Sequence, residues 1–189
     1  MGRIHLITGG CRSGKSAYAQ KLAEASLNSR LFIATCPVMD DDHEMAARIE
    51  KHRSDRSHKG WQTIEESVNL PEAIMSAGDY EVVLIDCLSL WISNLLFARG
   101  DQWSMLTEDI VSTHAAGLLK AASEYPGTLL LVTNEVGMGI VPANDMARRY
   151  RDLLGRCNQI AAAGADSVTL MVSGVPMLLK GSTEVPGDE

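Results

Sequence analysis

Short apolar runs alternate with segments of helical periodicity along almost the whole chain. The apolar runs predict strands at residues 3–8, 31–34, 81–85, 128–133 and 167–172, with a short edge strand at 174–180. The helical segments are residues 15–28, 42–56, 69–77, 88–98, 104–124 and 143–163. Strands that are apolar on both faces and alternate with helices are typical of a mainly parallel sheet. We therefore predict a three-layer α/β fold, with helices on both faces of the sheet and an antiparallel strand at one edge.

Length and composition narrow the class of protein. The 189 residues are 46% hydrophobic and 22% charged, which is usual for a globular protein. We expect one domain over residues 1–180 and a flexible tail at 181–189, a segment rich in Gly, Pro, Asp and Glu. The formal charge of −7 argues against a general nucleic-acid-binding protein. The sequence has neither a signal segment nor an apolar stretch near the ~20 residues of a membrane span, so we expect a cytoplasmic protein.

The residues between the first strand and the first helix fit the pattern G-x-x-x-x-G-K-[ST]. These eight residues, called the glycine loop below, are Gly9, Gly10, Cys11, Arg12, Ser13, Gly14, Lys15 and Ser16. In such a loop the backbone N–H groups, the positive end of the next helix and the lysine ammonium converge on phosphate groups. The Ser16 hydroxyl is suited to bind Mg²⁺. The strand, loop and helix together predict a nucleoside triphosphate site in a P-loop NTPase (RecA-like) fold.

A second element of a phosphate site is the carboxylate that ends an apolar strand. Residues 82–85 are apolar, and Asp86 follows them directly. In P-loop proteins an aspartate at this position binds Mg²⁺, directly or through water, beside the serine of the glycine loop. Asp86 could instead act as a base toward an attacking hydroxyl. The sequence leaves both roles open.

The segment 40–56 predicts a helix with an acidic beginning and a basic end, an order that suits the helix macrodipole. Met45, Ile49 and His52 share one face of this helix, with Arg48 and Arg56 beside them. A solvated surface helix is one interpretation. The other is catalytic, because a histidine among cations keeps a neutral ring nitrogen available for nucleophilic attack.

Several segments together resemble one family, the bifunctional adenosylcobinamide kinase / adenosylcobinamide-phosphate guanylyltransferases of cobalamin biosynthesis. The most specific of them, Thr-Asn-Glu-Val-Gly-Met-Gly-Ile-Val-Pro, lies at residues 133–142. The resemblance spans about residues 3–180. The other matching segments are the glycine loop, 44–49 with 52–53, 61–65, 86–91 with 94–96, 149–152 and 155–159.

The resemblance implies two reactions. The terminal hydroxyl of the aminopropanol arm of adenosylcobinamide takes the γ-phosphoryl group of ATP or GTP. GTP then loses pyrophosphate to form a guanylylated histidine, which falls at His52, and the cobinamide phosphate attacks that intermediate to give adenosylcobinamide-GDP. A homotrimer is also implied.

The resemblance also implies a set of nucleotide and metal contacts. It assigns Mg²⁺ to Ser16 and Asp86, and Glu65 would accept hydrogen bonds from guanine or ribose. The nucleotide contacts outside the glycine loop are Ala34, Thr35, Cys36, Arg53, Ser54, Asp55, Arg56, Glu65 and Asp86.

Three other functions remain open from the sequence. The enzyme could carry out guanylyl transfer alone, because the kinase reaction has no separate motif. It could be a P-loop kinase for another small alcohol. It could also be a nucleotide-dependent switch that only binds GTP, since a P-loop by itself does not determine function.

Overall fold

A computed structural model describes residues 2–25, 29–36 and 59–181 of the chain. The described residues form a seven-stranded sheet in the spatial order β3-β2-β4-β5-β1-β6-β7. Every neighbouring pair is parallel except β6 and β7, which are antiparallel. The strands are β1 Ile4–Gly9, β2 Arg30–Ala34, β3 Trp61–Glu65, β4 Val82–Asp86, β5 Thr128–Val132, β6 Ser167–Val172 and β7 Val175–Lys180.

Helices lie on both faces of this sheet, and the strands alternate their side chains between the two helical layers. On β4, Val83 and Ile85 belong to a core shared with four helices, whereas Val82 and Leu84 pack in a second core with the first helix. The helices are α1 Lys15–Ala25, α2 Leu70–Met75, α3 Leu88–Phe97, α4 Glu108–Glu124 and α5 Asp145–Gly164, with a 3₁₀ helix at Gly100–Met105. This arrangement confirms the predicted three-layer α/β fold and its antiparallel edge strand.

Local sequence explains where α4 and α5 begin. Thr107 accepts a hydrogen bond from the backbone N–H of Ile110, and Asn144 accepts one from the N–H of Ala147. Each side chain thereby satisfies an N–H group of the first turn that has no partner inside the helix. The predicted helix 104–124 therefore starts at Glu108, later than expected, after the separate 3₁₀ turn.

The sequence analysis missed strand β3. Its five residues pair in parallel with β2, but only Trp61 is buried. An edge strand with exposed side chains lacks the continuous apolar run that marked the other parallel strands. The sequence did contain a signal for this strand. Three of its five residues, Trp61, Thr63 and Ile64, are types that favour strands.

Two predictions fall on residues that the structure does not describe. The helix 42–56, with its histidine, lies in the range 37–58, and the predicted tail lies almost entirely in 182–189. Both stay predictions. Within the described ranges, no helix combines the length and the apolar character that crossing a membrane requires.

The pH dependence of stability tests the packing of β1 against β6. His5 is 5% exposed, and its Nε2 lies 2.9 Å from the Thr169 hydroxyl. Burial lowers the pKa of His5 from 6.5 to about 4, so the unfolded chain binds a proton more readily than the folded chain. This contribution to stability is complete above pH 6.5 and is lost as the pH falls toward 4.

Because of His5, the unfolding free energy of the wild type should fall by about 2 kcal/mol between about pH 7 and about pH 5. His5→Gln should lack this part of the decrease. Urea unfolding at the two pH values measures this difference. Thr169→Val is the control, because it removes the hydrogen-bond partner but leaves the histidine buried and the pH dependence in place. An unchanged pH dependence in His5→Gln would contradict the assignment.

Candidate active site at the carboxyl edge of the sheet

The carboxyl ends of the parallel strands bring the predicted site residues to one edge of the sheet. Ala34 at the end of β2 is in register with Glu65 on one side and with Asp86 on the other. Asp86 is in turn in register with Val132 of β5, which pairs with Ile7 of β1. The chain leaves β1 at this edge to form the glycine loop. Ligands of open parallel sheets bind at such an edge.

Two glycines give the glycine loop its shape. Gly14 has φ +93°, a left-handed conformation that other residues rarely adopt. At Gly9 a Cβ atom would lie 2.4 Å from the backbone oxygen of Met171 and 2.8 Å from the Ser13 hydroxyl. Gly174 in the β6–β7 turn donates its N–H to the backbone oxygen of Ser13 at 2.9 Å. The loop is therefore held against the neighbouring hairpin, and larger residues at Gly9 or Gly14 would disrupt it.

Lys15, at the first position of α1, folds back over this loop. Its side chain is buried, and Nζ donates to the Gly10 oxygen at 2.6 Å. Burial lowers the pKa of the Lys15 ammonium because the charged form loses hydration, while Cys87, Asp86 and Cys11 act in the opposite direction. A poorly hydrated ammonium is well suited to pair with an anion.

Ser13 provides a second indication of a ligand. Its hydroxyl is buried and has no hydrogen-bond partner among the residues that the structure describes. Most buried polar side chains have a partner, and exceptions in a cleft mark positions where a ligand or water completes the bonding. A phosphate oxygen would accept from this hydroxyl. The loop thus combines a buried cation, a buried hydroxyl and the free N–H groups of a helix start.

Asp86 and Ser16 are the residues on this edge that could hold a cation. Both are half-buried, and the Asp86 carboxylate is close enough to Lys15 to raise the pKa of that ammonium. Within residues 2–25, 29–36 and 59–181, no group of three or more His, Cys, Asp or Glu side chains forms a metal cluster. This donor set fits Mg²⁺, which usually takes one or two protein oxygens and fills its shell with phosphate and water.

Thr35 supports the backbone that follows Asp86. Its buried hydroxyl donates to the Cys87 oxygen at 2.9 Å and accepts from the Cys87 N–H at 2.7 Å. The side-chain amide of Asn94 on α3 donates to the backbone oxygen of Thr35 at 2.7 Å and to the backbone oxygen of Ser67 at 2.9 Å. The structure therefore shows Thr35 in a supporting position, and its predicted contact with nucleotide stays a prediction.

A polar network that the sequence analysis did not assign connects the end of β5 to α3 and α5. The side-chain amide of Asn134 donates to the Ser89 hydroxyl at 2.9 Å. The side-chain amide of Asn158 donates to the backbone oxygen of Asn134, also at 2.9 Å. Thr133 donates to the Asn158 side-chain oxygen at 2.7 Å. Polar residues directly after a buried strand were the signal, but their partners are 24 to 45 positions away along the chain.

The structure brings most of the predicted nucleotide contacts to this edge. The whole glycine loop, Ala34, Thr35, Cys36, Glu65 and Asp86 all lie at the carboxyl ends of β1 to β4. Five predicted residues lie outside the described ranges. They are His52, Arg53, Ser54, Asp55 and Arg56.

The fold and the edge have the arrangement of a P-loop protein, in which a glycine loop follows the first strand and an aspartate ends a nearby strand. Residues 5–179 match the family described as cobinamide kinase / cobinamide phosphate guanyltransferase. The chain belongs to this family. It is accordingly a bifunctional transferase of cobalamin biosynthesis, with cobinamide kinase and cobinamide phosphate guanylyltransferase activities.

Three relatives are similar over almost their entire length. The chain is 43% identical to the bifunctional adenosylcobalamin biosynthesis protein CobU of Escherichia coli, over 93% of this chain and 98% of that protein. It is 42% identical to the protein of the same name from Salmonella typhimurium, with the same shares covered. It is 39% identical to the bifunctional adenosylcobalamin biosynthesis protein CobP of Pseudomonas aeruginosa, over 93% of this chain and 96% of that protein.

The Thr35 hydroxyl offers a direct test of how the site is supported. Thr35→Val keeps the side-chain volume but leaves the Cys87 N–H without its partner, while the Cys87 backbone oxygen keeps the bond from the Trp91 N–H. We expect a loss of about 1–3 kcal/mol in unfolding free energy, and a higher KM for the nucleotide because the chain at Asp86 shifts. Thr35→Ser keeps the hydroxyl and should lose less of both. Urea unfolding and steady-state kinetics measure the two effects. A valine variant with the unfolding free energy and nucleotide KM of the wild type would show that the hydroxyl does not support the chain at Asp86.

Proposed function

We propose that this enzyme phosphorylates adenosylcobinamide with ATP or GTP and then transfers GMP from GTP to the new phosphate through a guanylylated His52. The products of the second reaction are adenosylcobinamide-GDP and pyrophosphate. The observation that carries the proposal is the glycine loop beside Asp86 on the same edge, with its buried Lys15 and a Ser13 hydroxyl that has no partner among the described residues. Membership in the family supports the two reactions, and in this proposal the glycine loop holds the triphosphate that both reactions use.

In the kinase reaction, the residues of the glycine loop bind and orient the nucleotide. The hydroxyl oxygen of the aminopropanol arm attacks the γ-phosphorus, and the bond from that phosphorus to the β–γ bridging oxygen breaks. The nucleoside diphosphate leaves, and the hydroxyl proton passes to water or to Asp86. Lys15 and the N–H groups at the start of α1 stabilise the negative charge on the phosphoryl oxygens during the transfer. The Lys15 ammonium has three N–H donors, so it can donate to a phosphate oxygen and keep its bond to the Gly10 oxygen.

Ser16 and Asp86 would hold Mg²⁺ in this proposal. The ion would supply positive charge that neutralises the phosphate oxygens of the nucleotide. A half-buried hydroxyl and a half-buried carboxylate fit this role, because both are hard oxygen ligands. The alternative role for Asp86, as the base that accepts the hydroxyl proton, stays open.

In the guanylyl transfer, a neutral ring nitrogen of His52 attacks the α-phosphorus of GTP and pyrophosphate leaves. An oxygen of the cobinamide phosphate then attacks the same phosphorus, and the bond to the histidine breaks. Two easier displacements thus replace one difficult transfer. The cations close to His52 in the sequence, Arg48, Lys51, Arg53 and Arg56, would neutralise charge on the phosphates.

The remaining parts of the proposal concern the base, the sugar and the assembly. Glu65 and the Ala34–Cys36 segment lie at the ends of the two strands beyond Asp86, so they would contact the guanosine portion of a nucleotide whose phosphates lie on the glycine loop. Arg53, Ser54, Asp55 and Arg56 would add contacts from the segment that carries His52. We further propose a homotrimer, as the family resemblance implies.

The test of the histidine uses GTP labelled at the α-phosphate. His52→Ala should abolish acid-labile, base-stable labelling of the protein, because a phosphoramidate can no longer form. Phosphorylation of adenosylcobinamide should survive in the same variant, since that reaction does not use the histidine. His43→Ala, in the same stretch of sequence, is the matched control and should still be labelled.

Two of the competing functions predict different results in this experiment. Labelling of His52→Ala would overturn the assignment of the histidine. A wild-type protein that is labelled but does not phosphorylate adenosylcobinamide would be a guanylyltransferase alone. Binding of GTP without release of pyrophosphate would indicate a nucleotide switch.

A further inference from the structure

A short loop beside the glycine loop exposes large apolar side chains. Residues 136–142, called the apolar loop below, connect the end of β5 to α5. Met138 is 82% exposed, Ile140 is 97% exposed and Val141 is 59% exposed. Single exposed apolar residues are common on protein surfaces, but three within four positions at a ligand-binding edge form a patch.

Hydrogen bonds hold both ends of the apolar loop. Just before it, the Glu135 N–H donates to the Gly9 oxygen at 3.0 Å, and the Gly137 N–H donates to the Glu135 carboxylate at 2.7 Å. At the other end, Nη1 of Arg148 donates to the Pro142 oxygen at 2.8 Å and to the Ala143 oxygen at 2.7 Å. The apolar side chains are therefore presented to solvent by a tethered backbone, one end of which is bonded directly to the glycine loop.

The chemistry of the kinase reaction requires a second binding surface at this place. The attacking hydroxyl must lie next to the γ-phosphoryl group, and hence next to the glycine loop. A short aminopropanol arm joins that hydroxyl to a large corrin ring whose rim carries many methyl groups. The ring must then rest on protein surface adjacent to the glycine loop, and an apolar surface would bind its methyl groups.

We propose that the apolar loop is the docking surface for the corrin ring of adenosylcobinamide, with Met138, Ile140 and Val141 as the contact residues. This inference rests on the proposed function for the identity of the acceptor. The flexible thioether of Met138 can adapt to the uneven rim of the ring. The fixed ends of the loop set the distance between the ring and the γ-phosphoryl group.

The position of the apolar loop in the sheet supports this occupant over a subunit contact. The Glu135 bond places the start of the loop at Gly9, the first residue of the glycine loop, and Asn134 binds Ser89, three residues beyond Asp86. The apolar loop thus leaves the sheet at β5, between the strand that ends in Asp86 and the strand that leads into the glycine loop. A second copy of the chain covering this loop remains an outcome that the experiment can detect.

The experiment compares two double variants by steady-state kinetics of adenosylcobinamide phosphorylation. Met138→Ser/Ile140→Ser removes the two most exposed of the three apolar side chains. Met75→Ser/Phe97→Ser is the matched control, since both residues are 64% exposed and end α2 and α3 away from the glycine loop. We expect the KM for adenosylcobinamide to rise about tenfold or more in the first variant only, with the KM for the nucleotide unchanged in both.

A ring-only probe separates contact with the ring from positioning of the arm. A corrinoid that lacks the aminopropanol arm should inhibit the wild type competitively against adenosylcobinamide, and its inhibition constant should rise by the same factor in Met138→Ser/Ile140→Ser. Labelling of the protein by GTP, without any corrinoid, confirms that the variant is folded.

The outcomes distinguish this inference from the proposed function. A wild-type protein that does not phosphorylate adenosylcobinamide would contradict the proposed function. If the wild type is active and the KM for adenosylcobinamide is the same in both double variants, the inference of a docking surface is wrong but the proposed function stands. Dissociation of an oligomer in Met138→Ser/Ile140→Ser, seen by sedimentation with the inhibition constant of the ring-only probe unchanged, would identify the loop as a subunit contact instead.

Discussion

Parallel hydrogen bonding between the strands decides where every described residue of the site can lie. Because β2, β4, β5 and β1 pair in parallel, their carboxyl ends meet at one edge, and the register places Ala34 beside Asp86 and Asp86 beside Val132. Strand β5 separates the strand that ends in Asp86 from the strand that leads into the glycine loop. A shift of one residue in either pairing would turn the apolar side chains of that strand toward the wrong helical layer, so the two cores fix the register.

The glycine loop concentrates polar groups that the fold alone does not satisfy. A lysine ammonium bonded to a backbone oxygen and a serine hydroxyl without a described partner are both costly in a buried position. The surrounding structure tolerates this cost because α1 and the β6–β7 turn hold the loop from two sides. The same polar groups become favourable when a phosphate lies among them, which connects the cost of burying them to the proposed function.

Local patterns in the sequence were sufficient for much of this site, and long-range contacts explain what they missed. The glycine loop and Asp86 can each be recognised from a pattern of no more than eight consecutive residues, because their chemistry depends on neighbours along the chain. The role of Thr35 under Cys87 depends on a partner 52 positions away, and the Asn134–Asn158 pair depends on one 24 positions away. Strand β3 was missed because edge strands need not be apolar, whereas the strands buried on both faces were recognised from their composition.

In the proposed enzyme, the glycine loop and Asp86 form a single site for the triphosphate. The most direct test is a crystal structure of the enzyme with a non-hydrolysable GTP analogue and Mg²⁺. We expect phosphate oxygens bonded to the N–H groups of the glycine loop and to the Ser13 hydroxyl, with a further phosphate oxygen bonded to the Lys15 ammonium. We also expect Ser16 and Asp86 to hold the metal. A triphosphate bound elsewhere, with no phosphate oxygen on Lys15, would rule out this site.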